Sequence, residues 1–200
     1  MSIRYLTIER EYGSGGMEIA RRLSEETSVP CYGREILEAV AQKMNMSTNE
    51  VERCEETVSG SFLYNIYLMG KAGSGDTDML SQDGHIFVAE QTVIREFARR
   101  GRCIFVGHCA AEALRDQSRV ARVYIRCSDE AARKKRIMEQ YGIPDVTVDA
   151  TRKRFDRKRA NYYNANTGKK WSDLKNYDIV LDSGMVGIDG CVAVLKGLFD

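Results

Sequence analysis

Residues 3–20 read Ile3-Arg4-Tyr5-Leu6-Thr7-Ile8-Glu9-Arg10-Glu11-Tyr12-Gly13-Ser14-Gly15-Gly16-Met17-Glu18-Ile19-Ala20. Three signals follow one another there without a gap. Ile3 to Ile8 has the apolar character of a short strand, Gly13 to Gly16 is a glycine turn, and Ile19, Ala20 and Leu23 then recur at helical spacing. A glycine turn joining a strand to a helix start aims several backbone N–H groups at one point, where the helix dipole adds positive potential. Such a place suits a phosphate. Small residues matter because the backbone itself must wrap the anion. The competing reading is a flexible turn with solvated side chains.

Working outward, strand-like and helix-like patterns alternate along most of the chain, which predicts an α/β fold with a parallel sheet. Pro30-Cys31-Tyr32 reads as a second strand, Cys103 to Val106 as a buried third, Val120 to Ile125 as a fourth and Tyr177 to Asp182 as a fifth. Helical faces are expected after Arg34, after the capping box Ser47-Thr48-Asn49-Glu50, around Phe62 to Met69 and from Ile86 to Arg100. Further helices are expected behind Ser128 as N-cap, over Thr147 to Tyr163 and beyond Gly187, while Gly70 to Gly84 reads as a loop.

Composition narrows the class. With 43% hydrophobic and 30% charged residues, 200 residues suffice for a core without disulfides. The six cysteines form no C-x-x-C pair and no metal-ligand spacing. Neither a secretory signal nor a long apolar run is present, so a cytoplasmic protein without a membrane span is expected. The first hundred residues hold 11 Lys/Arg against 16 Asp/Glu and the second hundred 19 against 13. The basic half suits an anionic ligand, or a solvated helix surface.

Set against the phosphate-loop pattern G-x-x-x-x-G-K-[ST], the stretch keeps Gly15 but has Arg10 for the first glycine, Gly16 for the lysine and Met17 for the hydroxyl. Arg10 is a sensible replacement cation, because guanidinium grips phosphate in a bidentate fashion. A metal would have to use Ser14, a carboxylate or the nucleotide itself, so its ligands are unknown from sequence.

Thr7-Ile8-Glu9-Arg10-Glu11-Tyr12-Gly13-Ser14-Gly15-Gly16-Met17-Glu18-Ile19-Ala20 closely resembles the opening of the cytidylate kinase-like family. Ile104 to Gly107, Arg157 to Tyr163 and Trp171 to Asp178 extend the resemblance over nearly the whole chain. It implies a three-layer P-loop NTPase fold with a five-stranded parallel sheet flanked by helices and a helical lid. It further implies one kinase-like domain over residues 1–200, an acceptor-side helical insertion at 45–84 and the lid at 144–172. ATP, Mg2+ and nucleotide substrates come with it, with transfer of the γ-phosphoryl group to CMP or dCMP. Where the family usually has Gly-Arg after the central strand, this chain has Gly107-His108.

Phosphoryl transfer depends on positioning and charge neutralisation. Residues 152–170 carry eight Lys/Arg and one acid, so the segment repels itself unless an anion or acidic surface neutralises it. By the resemblance, Arg10, Arg154 and Arg159 are the expected catalytic cations, while Gly13, Ser14, Gly15, Gly16 and Arg133 hold the nucleotide. Arg34, His108 and Asp156 are expected on the acceptor side, Asp156 also orienting a lid arginine. Each arginine has a plainer reading as a surface residue, as in an Arg152–Asp156 pair one helical turn apart. A different small-molecule acceptor and a non-catalytic nucleotide-binding regulator are the alternative functions. Nucleic acid is not expected as a partner, and a homodimer is left open.

Overall fold

In the computed structural model, which describes residues 2–57 and 82–200, the sheet consists of Tyr5–Arg10 (β1), Cys31–Tyr32 (β2), Cys103–Val106 (β3), Val120–Arg126 (β4) and Ile179–Asp182 (β5). The strands run parallel in the order β2-β3-β1-β4-β5. β1 lies at the centre because its side chains serve both faces. Leu6 and Ile8 join Ile104, Val106, Val123 and Ile125 on one face, and Tyr5 joins Cys103 and Phe105 on the other. Strands buried on both sides read as continuous apolar runs, which is why β3 is Cys-Ile-Phe-Val without alternation.

Helices cover the two faces. Gly16–Thr27 (α1) and Ser183–Lys196 (α8) pack on the Leu6 face. Arg34–Met44 (α2), Thr48–Thr57 (α3) and Gln82–Arg99 (α4) pack on the Tyr5 face. Ala110–Ala113 (α5), Glu130–Tyr141 (α6) and Asp145–Thr167 (α7) complete the described α-helices. The result is a three-layer α/β fold in which the strands' C-terminal ends share one edge, the usual ligand edge of such sheets. No described helix is long and apolar enough to cross a membrane.

The local signals act as their chemistry dictates. Ser47 and Glu50 form the capping box: Glu50 N–H donates to Ser47 Oγ at 3.2 Å, and Ser47 N–H to Glu50 Oε2 at 2.8 Å. Several expectations need correction, among them the last helix, which starts at Ser183 rather than beyond Gly187. Asp129, not Ser128, caps α6 by accepting from Ala132 N–H at 3.0 Å, because Ser128 N–H is drawn to Asp182 Oδ1 at 2.8 Å. Helix α4 starts at Gln82, so the last three residues of the expected glycine-rich loop are helical. α7 runs beyond Thr147 to Tyr163 at both ends, from behind Pro144 to the left-handed Gly168. The helical face expected over Phe62 to Met69 lies outside the described residues.

Leu6 has no exposed surface and sits at the middle of the α1–α8 layer. Leu6→Ala is expected to lower unfolding stability by about 2–5 kcal/mol, read from urea midpoints at unchanged slope.

Candidate active site

The turn after β1 is built around backbone that only small residues permit. Gly13 and Gly15 have φ of +77° and +83°, and a Cβ on Gly15 would fall on the Ile188 side chain. Gly15 is the N-cap of α1 and supplies no side-chain cap, so the helix's first N–H groups face the turn. Ser14 is fully buried, and its Oγ has no hydrogen-bond partner among the described residues. A buried orphan hydroxyl beside an uncapped helix start is a place that suits a ligand oxygen.

The turn is gripped from outside by α6 and α7. Arg133 Nε donates to Tyr12 O at 2.6 Å, and its other nitrogens pair with Glu11 Oε2 at 3.2 Å and with Asp156 Oδ2. Asp156 Oδ1 accepts from Tyr12 N–H at 2.7 Å. Arg136 donates to Gly13 O, and Arg159 Nη1 to Arg10 O at 3.0 Å. The Tyr12 ring stacks on Phe155 of α7 and Tyr141 of α6, at centroid distances of 4.4 and 5.1 Å. Apart from the two ion pairs of Arg133, every contact in this set fixes the course of the turn's main chain or the Tyr12 ring.

A cavity of about 460 Å³ opens above the turn at the strands' C-terminal edge. Arg10, Lys158 and Arg159 line it, together with Arg34, Glu52 and His108. Arg10 lies across the end of β3, and a Cβ on Gly107 would fall on its guanidinium, which explains glycine there. Burial chiefly, and Arg10 next, push the Arg159 guanidinium below its ordinary range. Two neighbouring cations in a partly desolvated cavity repel each other, and an anion between them relieves both. Glu9, also on the cavity, accepts from Trp171 Nε1–H at 3.2 Å; burial raises its carboxyl above the ordinary range against the pull of Arg10 and Arg159.

The structure brings Arg10, Gly13, Gly15, Gly16, Arg34, His108 and Arg159 to the cavity, with Ser14 buried in the turn. Three expected residues lie elsewhere. Arg133, expected to meet nucleotide, is buried behind the turn, because Glu11 and Asp156 hold its charge there. Asp156, expected on the acceptor side, binds Arg133 and Tyr12, and its charge also acts on Arg159 of its own helix. Arg154 is exposed on the Phe155 ring and does not reach the cavity. Arg152 pairs with Glu130 and Asp149, not with Asp156. Sequence reasoning missed Glu9 and Glu90, and both had a signal. Glu9 is a charge inside an apolar strand, and Glu90 sits one helical turn from both Ile86 and Ile94 on the apolar face of α4.

No group of three His, Cys, Asp or Glu side chains able to hold a metal occurs among the described residues. A magnesium ion carried by nucleotide phosphates suits this donor set, since that ion keeps most of its waters and takes few protein ligands. Because the Glu9 carboxyl is raised in the folded chain, its unfavourable contribution is absent at low pH and grows as pH climbs past the ordinary carboxylate range. Glu9→Gln is therefore expected to melt above the native chain at neutral pH, with the difference vanishing in acid, as thermal melts across pH would register.

Residues 5–185 match the cytidylate kinase-like family. An uncharacterised protein from Eubacterium ventriosum is similar over 98% of both chains, at 25% identity and a TM-score of 0.72. TT1252 from Thermus thermophilus matches at 16% identity and a TM-score of 0.55, covering 99% of this chain and 97% of its own. Shikimate kinase from Bacteroides thetaiotaomicron matches at 10% identity and 0.53, over 98% of both chains. No curated protein is similar in sequence. The last two likenesses speak to the fold, which is that of P-loop kinases, and the chain belongs to the cytidylate kinase-like family.

Proposed function

We propose that the chain is an ATP- and magnesium-dependent kinase that moves the γ-phosphoryl group to a small acceptor, with CMP and dCMP first in line. The observation that carries this reading is the buried Ser14 Oγ, without a partner among the described residues, in the uncapped turn whose glycines line a cavity together with Arg10 and Arg159. The backbone of Gly13, Ser14, Gly15 and Gly16 receives the nucleotide's phosphates, with Ser14 Oγ as a further donor or metal ligand. Arg10 takes the place of the missing lysine. Arg159 adds charge and holds the Arg10 carbonyl. Arg133 and Asp156 act as positioning residues through the turn they grip. When bound, magnesium neutralises charge on the phosphoryl oxygens.

In this reading residues 1–200 form one kinase unit, with 144–172 as its lid and 45–84 on the acceptor side. A second reading, a small-molecule acceptor other than a nucleotide, is favoured by His108. It stands where the family resemblance expects an arginine, and a carboxylate holds it (Glu90 Oε1 to Nδ1, 3.1 Å). The third is a regulator that binds nucleotide without turning it over.

Calorimetric titration with ATP and magnesium, followed by ADP production against CMP, dCMP, UMP and AMP, separates the three. Turnover with a pyrimidine monophosphate supports the first, while binding without it points to another acceptor or a regulator. Absence of binding would mean that the altered turn has lost its phosphate. Arg10→Ala should weaken ATP binding by about tenfold or more, the loss of a charged hydrogen-bond partner. Unchanged affinity and turnover would remove Arg10 from the lysine's role.

A further inference from the structure

The end of β3 carries an unusual turn. Gly107, His108 and Cys109 have φ of +81°, +56° and +50°, three successive left-handed residues of which two are not glycine. Each such non-glycine residue costs about 1–3 kcal/mol and persists only where its surroundings over-determine it. Here Gln91 Nε2 donates to His108 O at 3.2 Å, and the guanidinium of Arg10 covers Gly107. The turn presents His108 and Cys109 to the cavity.

Behind the imidazole lies Glu90, which has no exposed surface. One of its oxygens is 3.1 Å from His108 Nδ1, and the other accepts from the Tyr162 hydroxyl. A carboxylate is costly to bury unless it is hydrogen-bonded on both sides, and this one is. With Nδ1–H donated to Glu90, the ring carries its lone pair on Nε2. An oriented imidazole beside a reaction cavity is the usual arrangement of a general base.

A phosphate monoester attacks as an anion and needs cations around it, not a base, whereas an alcohol must lose its proton as it attacks. Among the described residues that line the cavity, Arg34 has a side chain 76% exposed and is paired with Glu38 at 3.2 Å, and Glu52 contributes a carboxylate. Arg10, Lys158 and Arg159 also line it and suit the charge of the transferred group.

From this geometry we infer that the acceptor is an alcohol and that His108, oriented by Glu90, takes its proton. The inference rests on the second reading above, a kinase with an acceptor other than a nucleotide, and names that acceptor's class. The hydroxyl oxygen bonds to the γ-phosphorus while the bond from that phosphorus to the bridging oxygen breaks, and ADP leaves with the electron pair. The proton passes to His108 Nε2, and Glu90 stabilises the imidazolium. Among the described residues, the charged or titratable groups around His108 include Glu90 from α4, Glu9 and Arg10 from β1, and Tyr162 from α7, with Cys109 beside it and Arg159 lining the same cavity.

The test follows ADP release from ATP and magnesium over the pH range in which imidazoles titrate, with water, glycerol, cytidine and deoxycytidine as hydroxyl acceptors and CMP and dCMP as phosphate acceptors. Asparagine tolerates the left-handed backbone, so His108→Asn keeps the turn. It should bind ATP normally yet release ADP about 10²-fold more slowly, without the acidic limb of the native profile. Glu90→Gln should move that limb and reduce the rate at unchanged ATP affinity. The inference is overturned if His108→Asn keeps the native rate and profile, if CMP or dCMP is the acceptor that turns over, or if native protein binds ATP but releases no ADP with any hydroxyl. Failure of the native chain to bind ATP would sink the kinase reading itself, a different result.

Discussion

The site depends on one buried guanidinium. Arg133 is held by Glu11 and Asp156 while it donates to the Tyr12 carbonyl, so α6, α7 and the turn after β1 meet at a single charged group. Removing one partner of a buried charged cluster leaves the others uncompensated, typically at about 3–5 kcal/mol, which makes such a cluster a strong constraint on geometry even where its net contribution to stability is small. Here the constraint falls on main chain. With Tyr12 N–H, Tyr12 O, Gly13 O and Arg10 O all engaged by α6 and α7, the turn is set before any ligand arrives. That is the preorganisation a phosphate cradle needs, since donors already in place cost nothing to align during transfer.

The altered phosphate loop then becomes intelligible. A lysine in the usual place would rise from α1, next to the glycines it follows. Gly16 stands there instead, and a Cβ at that position would meet Arg10 Cβ at 2.7 Å, so the arginine occupies the space a side chain there would need. Positive charge reaches the cavity from β1 through Arg10 and from α7 through Arg159, not from α1. One of these cations thus belongs to the helix that grips the turn, which couples the position of α7 to the charge available for the anion.

Much of this was legible in the sequence, for separable reasons. β1, the glycine turn and α1 are local: apolar runs, glycine conformations and helical spacing each act over a few residues, so residues 3–20 could be read directly. The parallel strands followed from continuous apolar runs. The placement of Arg133, Arg154 and Asp156 was not legible, because it depends on which face of two charged helices meets the turn. In α7 that face is hard to read: charged residues lie all round the helix, and Asp156 pairs across to another helix rather than along its own. Glu90 shows the opposite case. Its spacing from Ile86 and Ile94 places it on a buried face by helical geometry alone, but nothing local names His108 as its partner, 18 residues away.

The unfavourable terms are distributed in a way that local packing does not require. Glu9 is held above its ordinary range by burial, Arg159 below its own, and His108 and Cys109 in left-handed backbone, and all four line one cavity. The hydrophobic layers on either side of the sheet need none of these features, since each is filled by apolar side chains. In the proposed phosphoryl transfer each would be relieved, or put to use, by a different part of the reaction: an anion between Arg10 and Arg159, a hydroxyl against His108. Glu9, close to both arginines and within electrostatic reach of His108, links the two halves. A cavity that opposes its own charges in this ordered manner is built around a ligand carrying the complementary ones.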